Sequence, residues 1–197
     1  MSPDTPVEPG TPGVDDAADR DSGEQAARGA MTDLSLRGPL LGQGAAAERI
    51  LRALPGWFGI EAALQGYVRA ADELDTFVAM VARPACGGRP REVRPDEVIG
   101  FLTLRETSPD ALELHVMGVL PSWHRRGAGR ALVERAASYA RAEGYSLLHV
   151  KTLAPSDPDP GYAATRAFYA STGFRPLEVL PQVWGPENPC LLLVRPL

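Results

Sequence analysis

Residues 112–135, LELHVMGVLPSWHRRGAGRALVER, hold the side chains and spacings most capable of chemistry. An apolar strand pattern runs into Pro121 and crosses a short polar turn. It enters a helix pattern through Arg125, Arg126, Gly127, Ala128, Gly129 and Arg130. Glycines at a helix entrance remove Cβ atoms, so backbone N–H groups can approach a ligand closely. The first four N–H groups of a helix lack internal partners and lie at the positive end of its dipole, which suits an anion. The three arginines add charge matched to a diphosphate. No Gly-Lys-Ser/Thr follows, so this is not a nucleotide-hydrolysing phosphate loop. The acidic residue expected about 20 positions beyond a dinucleotide fingerprint is not evident either. Taken alone, the glycines equally describe a tight turn that feeds an ordinary amphipathic helix.

Several elements must position that loop. The patterning predicts a short strand over 34–37, stopped by Gly38 and Pro39, then helices over 45–54 and 61–71. A β-branched, apolar run over 76–82 reads as a buried strand. Residues 84–95 carry the Gly, Pro and Arg of an exposed loop. Strands are expected over 98–104 and 112–120, separated by the Ser108-Pro109-Asp110 turn. A long helix covers 126–143, with Leu132, Val133, Ala136 and Tyr139 on its apolar stripe and Gly144 as its stop. A strand over 146–153, a Pro-rich loop, a helix over 162–172 closed by Gly173, and strands over 175–181 and 190–194 complete the chain. The fold class is α/β (α+β) with a mixed sheet. Phe168 and Phe174 are expected in the core, with Trp57, Phe58 and Tyr67 core by default.

Composition narrows the function classes. The chain has 197 residues and a formal net charge of −5. Residues 1–33 hold eight acids against two arginines, net −6, while residues 34–197 hold 17 acids against 18 basic residues, net +1. The first segment is acidic, rich in Pro and Gly and poor in apolar side chains, which predicts a disordered arm ahead of one domain over 34–197. A near-neutral domain argues against a nucleic-acid partner. No apolar run is long enough for a membrane span, and the N-terminus has no signal-peptide pattern. Cys86 and Cys190 stand far apart, so no metal site or disulfide framework is expected. These features predict a metal-free cytoplasmic protein. An exposed sheet edge would leave homodimer formation open.

The loop and a second stretch together carry a family resemblance. Val119-Leu120-Pro121 followed by His124-Arg125-Arg126-Gly127-Ala128-Gly129 is similar to the acyl-CoA signature of the GNAT superfamily of N-acyltransferases. His124 stands where the family usually has Gln or Arg. Downstream, Phe168-Tyr169-Ala170-Ser171-Thr172-Gly173-Phe174 resembles the family's Phe-Tyr-x-x-x-Gly-Phe helix end. The closing Trp184–Cys190 run is similar to a bacterial branch. The resemblance implies a twisted mixed sheet whose central strands, 112–120 and 146–153, splay apart. Acyl-CoA would enter the cleft from one side and an acceptor amine from the other. It also implies a β-bulge that exposes N–H groups near Met117, Gly118 and Val119. These would hold the pantetheine arm and polarise the thioester carbonyl, while residues 125–130 cradle the diphosphate. The activity implied is transfer of acetyl from acetyl-CoA to a primary amine by direct attack. The acceptor, small molecule or protein, is left open. A CoA-binding regulatory module of weak activity is the alternative.

Acylation of an amine sets the roles to be filled. A lysine-like amine costs roughly 4.6 kcal/mol to deprotonate near pH 7, so a base must take a proton at some stage. A carboxylate can accept one from the tetrahedral intermediate, directly or through water. Glu113 is the first candidate. Strand alternation would place Glu113, His115 and Met117 on one face, looking into the cleft, and Leu112, Leu114 and Val116 on the other. His115 and, on the neighbouring strand, His149 are the alternatives. By the resemblance, Tyr169 is the general acid for the departing thiolate, a transfer uphill by about 2 kcal/mol from ordinary values. Tyr162 stands where relatives carry an Asn that contacts pantetheine.

Overall fold

The computed structural model describes residues 34–82, 97–185 and 187–197. The arm 1–33, the loop 84–95 and Cys86 lie outside the described residues. In chain order the elements are β1 (Leu34–Leu40), α1 (Gly44–Arg52), α2 (Glu61–Glu73), β2 (Thr76–Val81), β3 (Glu97–Ser108) and β4 (Ala111–Val119). A 3-10 turn (Pro121–Trp123) leads to α3 (Ala128–Ala142), β5 (Leu147–Leu153), α4 (Pro160–Ser171), β6 (Arg175–Leu180) and β7 (Cys190–Pro196). The strands form one sheet in the order β1-β2-β3-β4-β5-β7-β6, antiparallel except at β4–β5. That single parallel pair requires a crossover, which α3 supplies.

Each sheet face has its own apolar layer. On one face α3 buries Leu132, Val133, Ala136, Ala137 and Ala140 against Leu102, Leu112, Leu114 and Leu148. On the other, Ala47, Ile50 and Leu51 of α1 and Leu64 and Ala71 of α2 pack on Val78, Phe101 and Val116. The two later helices, α3 and α4, end where a glycine allows a left-handed residue. Gly144 (φ +89°) follows α3, and the Tyr145 N–H returns to the Ala140 carbonyl at 2.9 Å. This double-back closes the helix and satisfies its end carbonyls.

Three local expectations are corrected. β1 does not stop at Arg37. It continues to Leu40 through a cis Gly38–Pro39 bond and a register shift, because an edge strand needs no outward N–H from its proline. β3 runs on to Ser108 rather than ending at Leu104, because the polar residues beyond it are exposed and still pair with β4 through their backbone. α4 starts at Pro160, two residues early. The Asp159 carboxylate caps it by accepting from Gly161 N (2.7 Å) and Tyr162 N (3.1 Å), and Pro160 takes the first-turn position that lacks a donor requirement.

Gly66 lies inside α2 without a positive φ, and a Cβ there would meet nothing within 4 Å. Gly66→Ala is therefore expected to raise folding stability by about 0.5–1 kcal/mol, the ordinary gain in a helix interior. Thermal or urea unfolding would show it, and a loss of stability would mean that the side of α2 facing Gly66 is not open.

Candidate active site

The turn between β4 and α3 is built to leave amides free. Arg125 adopts a left-handed φ of +61° and Gly127 one of +87°. Alternating handedness turns successive N–H groups to the same side. None of the N–H groups of residues 125–130 donates to a protein acceptor among the described residues; the next one, of Ala131, bonds to the Gly127 carbonyl at 2.9 Å. The two glycines serve different needs. A Cβ at Gly127 would meet nothing, so its requirement is conformational. A Cβ at Gly129 would lie 3.3 Å from the Phe168 ring and 3.7 Å from the Met117 methyl, so that glycine lets α4 approach α3.

The arginines divide likewise. The Arg126 guanidinium lies 5.2 Å over the Trp123 ring, and Arg125 and Arg126 have no carboxylate partner among the described residues. The Arg130 side chain instead donates to the Ser171 carbonyl and hydroxyl at 3.0 and 3.1 Å, bracing the end of α4. Two of its five guanidinium N–H groups are spent on that brace, and its backbone N–H stays unpartnered among the described residues. His124 earns its place through Nε2–H, which donates to the Val119 carbonyl at 2.7 Å and ties the turn to the strand end.

The central strands do separate. β4 and β5 pair only through Ala111–Leu147, Leu112–Leu148 and Glu113–His149, so the edge of β4 from residue 114 onward has no ladder partner on β5. A bulge sits in that open stretch, but at His115 and not at Met117–Val119. Thr103 pairs with Val116 and Leu104 with Leu114, leaving His115 as the extra residue. The extra residue reverses the alternation beyond it. Leu112 and Leu114 lie in the α3 layer, Val116 in the α1–α2 layer, and Met117 and Val119 in the α3 layer again. Glu113 and His115 share a face as expected, whereas Met117 turns to the opposite one. Gly118 faces α1, where a Cβ would come within 2.9 Å of Ile50.

Glu113 is 3% exposed and sits in a ring of bases. Its Oε2 accepts from Arg105 Nε at 2.9 Å and from Nη2, its Oε1 accepts from Lys151 Nζ at 2.7 Å, and His115 Nδ1 lies 3.5 Å from Oε2. Burial pushes this carboxyl up, but His115, Lys151 and Arg105 together outweigh burial and hold it at about 2. The adjacent His149 is fixed differently. The Thr107 hydroxyl donates to the Ala111 carbonyl at 3.2 Å, so it accepts from His149 Nε2–H at 2.8 Å, and Nδ1 is enclosed without a partner. Burial lowers its pKa, so the ring is neutral and its lone pair is sealed from the cleft.

Tyr169 is positioned by the helix end itself. Gly173 (φ +89°) lets the Phe174 N–H return to the Tyr169 carbonyl at 3.1 Å, and the two rings meet edge to face at 5.6 Å. The spacing of the Phe-Tyr-x-x-x-Gly-Phe run is thus a helix cap with its hydrophobic contact. The Tyr169 hydroxyl has no hydrogen bond among the described residues. The side chain is buried, 6% exposed, between the Phe168 and Phe174 rings. Burial raises its pKa and keeps its proton in place. Phe174 is core, but Phe168 is half-buried. Trp57, 38% exposed, is not core: its indole N–H donates to Thr165 at 3.2 Å and joins the α1–α2 connection to α4.

Two residues of this site escaped the sequence reading. Lys151 is the only lysine among 20 basic residues, an oddity that could have flagged it. Arg105 gave no signal, since its partner is visible only once β3 and β4 are in register. Among the described residues no His, Cys, Asp and Glu group could hold a metal ion.

A family model described as Acetyltransferase (GNAT) domain matches residues 77–176. The fold is similar to that of a GNAT-family protein from Desulfovibrio desulfuricans, with 18% identity, a TM-score of 0.65 and coverage of 83% of this chain and 98% of that one. It is also similar to Ard1 from Thermoplasma volcanium, at 19% identity, TM-score 0.61, 84% and 98%. A third likeness is to a GNAT-family acetyltransferase from Elizabethkingia anophelis solved with acetyl-CoA bound, at 13%, 0.58, 84% and 99%. No curated protein is detectably similar in sequence.

Proposed function

The chain belongs to the GNAT acetyltransferase family, a family of acyl-transfer enzymes, and from that premise we propose that it moves an acetyl group from acetyl-CoA to a primary amine by direct attack, in the cytoplasm. The observation that carries the reading is the row of N–H groups at 125–130, unpartnered among the described residues, together with the β4 edge that has parted from β5. That row receives the CoA diphosphate, with Arg125 and Arg126 adding charge. The pantetheine arm and thioester lie along Met117, Gly118 and Val119, whose backbone borders the gap between β4 and β5. The donor bound in the Elizabethkingia neighbour supports acetyl-CoA as the coenzyme.

In this reaction the amine nitrogen bonds to the acetyl carbon, and the thioester C–S bond breaks as the tetrahedral intermediate collapses. One nitrogen proton leaves to a base, and the CoA thiolate takes one from an acid. His115 suits the base better than Glu113, because Glu113 is neutralised by Arg105 and Lys151 and held near 2. Glu113 is then the positioning residue, holding Nδ1 while Nε2 has no protein partner among the described residues. Tyr169, kept protonated by burial, gives its proton to the thiolate.

The test is thiol release from acetyl-CoA across a panel of primary amines, together with calorimetric binding of the coenzyme. Turnover above the uncatalysed rate supports the reading. Tight binding with background turnover on every amine would leave a coenzyme-binding module instead, and no binding at all would end it. Tyr169→Phe is expected to lower kcat about tenfold, because proton delivery to a thiolate is helped only moderately by a more basic phenol. An unchanged kcat would remove Tyr169 from the reaction.

A further inference from the structure

A groove of about 440 Å³ runs between α2 and the sheet, lined by Gly66, Arg69 and Glu73 from the helix, Arg105 from β3 and His115 from β4. Gly66 is not required there by packing, since a Cβ would meet nothing within 4 Å. The missing side chain leaves the groove open on the helix side. The groove lies on the α1–α2 face of the sheet, at the strand position where β4 has parted from β5.

Its charge is unbalanced. Glu113 is already satisfied by Arg105 and Lys151. Arg69 is exposed and has no ion pair among the described residues, and Glu73, one turn further along the same helix, does not approach it within 4 Å. Counting Arg69, Arg105 and Lys151 against Glu113 and Glu73 leaves one positive charge over. A bare ammonium gains nothing from such a field, whereas a carboxylate is matched by the guanidinium fork.

We propose that this groove receives the acceptor, and that the acceptor is a small primary amine carrying a carboxylate, the carboxylate held by Arg69 and the amine nitrogen beside His115. The proposal rests on the acyl-transfer reading above and adds the substrate class.

The experiment uses the full chain with acetyl-CoA and matched acceptors that differ only in carboxylate or carboxamide, such as glycine with glycinamide and β-alanine with β-alaninamide. The acids are expected to show kcat/KM at least tenfold above their amides. Arg69→Gln should bring that ratio to about one by raising KM for the acids. Gly66→Leu, which fills the groove, should raise KM for every acceptor. Equal use of acids and amides by the native chain would overturn the proposal, as would an Arg69→Gln effect equal on both. If no amine is turned over, calorimetry of N-acetylglycine against N-acetylglycinamide in the presence of CoA decides separately. A preference for the acid that Arg69→Gln removes keeps the carboxylate-binding groove and sinks the transfer reading, and no preference sinks the groove.

Discussion

Glu113→Ala is expected to lower folding stability by about 3 kcal/mol in urea unfolding at neutral pH. Removing one member of a buried ion cluster leaves its partners uncompensated, typically at a cost of about 3–5 kcal/mol. Here Lys151 and Arg105 keep 24% and 44% side-chain exposure, so both can turn partly to water, and the lower end applies. The same cluster sets an acid response. In the folded state the carboxyl is held at about 2 against an ordinary 4.5, so the unfolded chain takes up this proton first. The stabilisation is therefore complete above about pH 5 and drains away as the pH falls toward 2, about 3 kcal/mol in all. Glu113→Ala should flatten that part of the pH–stability curve. Combining it with Lys151→Ala should cost less than the sum of the single changes, because the stranded ammonium is gone. A single variant within 0.5 kcal/mol of wild type would show that the cluster does not hold these strands.

The largest kinetic effect is expected at His115. His115→Gln keeps a polar side chain at the bulge and removes the base, and kcat should fall about 100-fold to 1000-fold. Glu113→Gln retains a hydrogen-bond acceptor for the imidazole and should lower kcat only about tenfold. Free imidazole added to a His115→Gly variant should restore part of the rate, a readout that a packing role against Tyr67 would not give. If Glu113→Gln proves the more damaging change while the fold stays intact, the carboxylate is the base and His115 its neighbour.

Much of this was legible in the chain. Apolar period separated helices from strands, Gly144 and Gly173 marked helix ends, and the glycine turn before α3 announced free amides. These signals are local, because capping and strand–turn–helix geometry depend on residues a few positions apart. The early start of α4 is legible too, in the Asp159 cap and Pro160 at the first helical position.

The site's electrostatics were not legible, and the reason is physical. Whether Glu113 is a free base or a neutralised anchor depends on Arg105 and Lys151, eight residues before it and 38 after it, which meet it only when three strands are in register. The face presented by Met117 depends on one extra residue at His115, and a bulge of one residue leaves no mark in an alternating pattern. Short-range chain stiffness and apolar period determined the elements and the amide-lined turn. Sheet register, which closes only when distant strands pair, decided which charges surround the cleft.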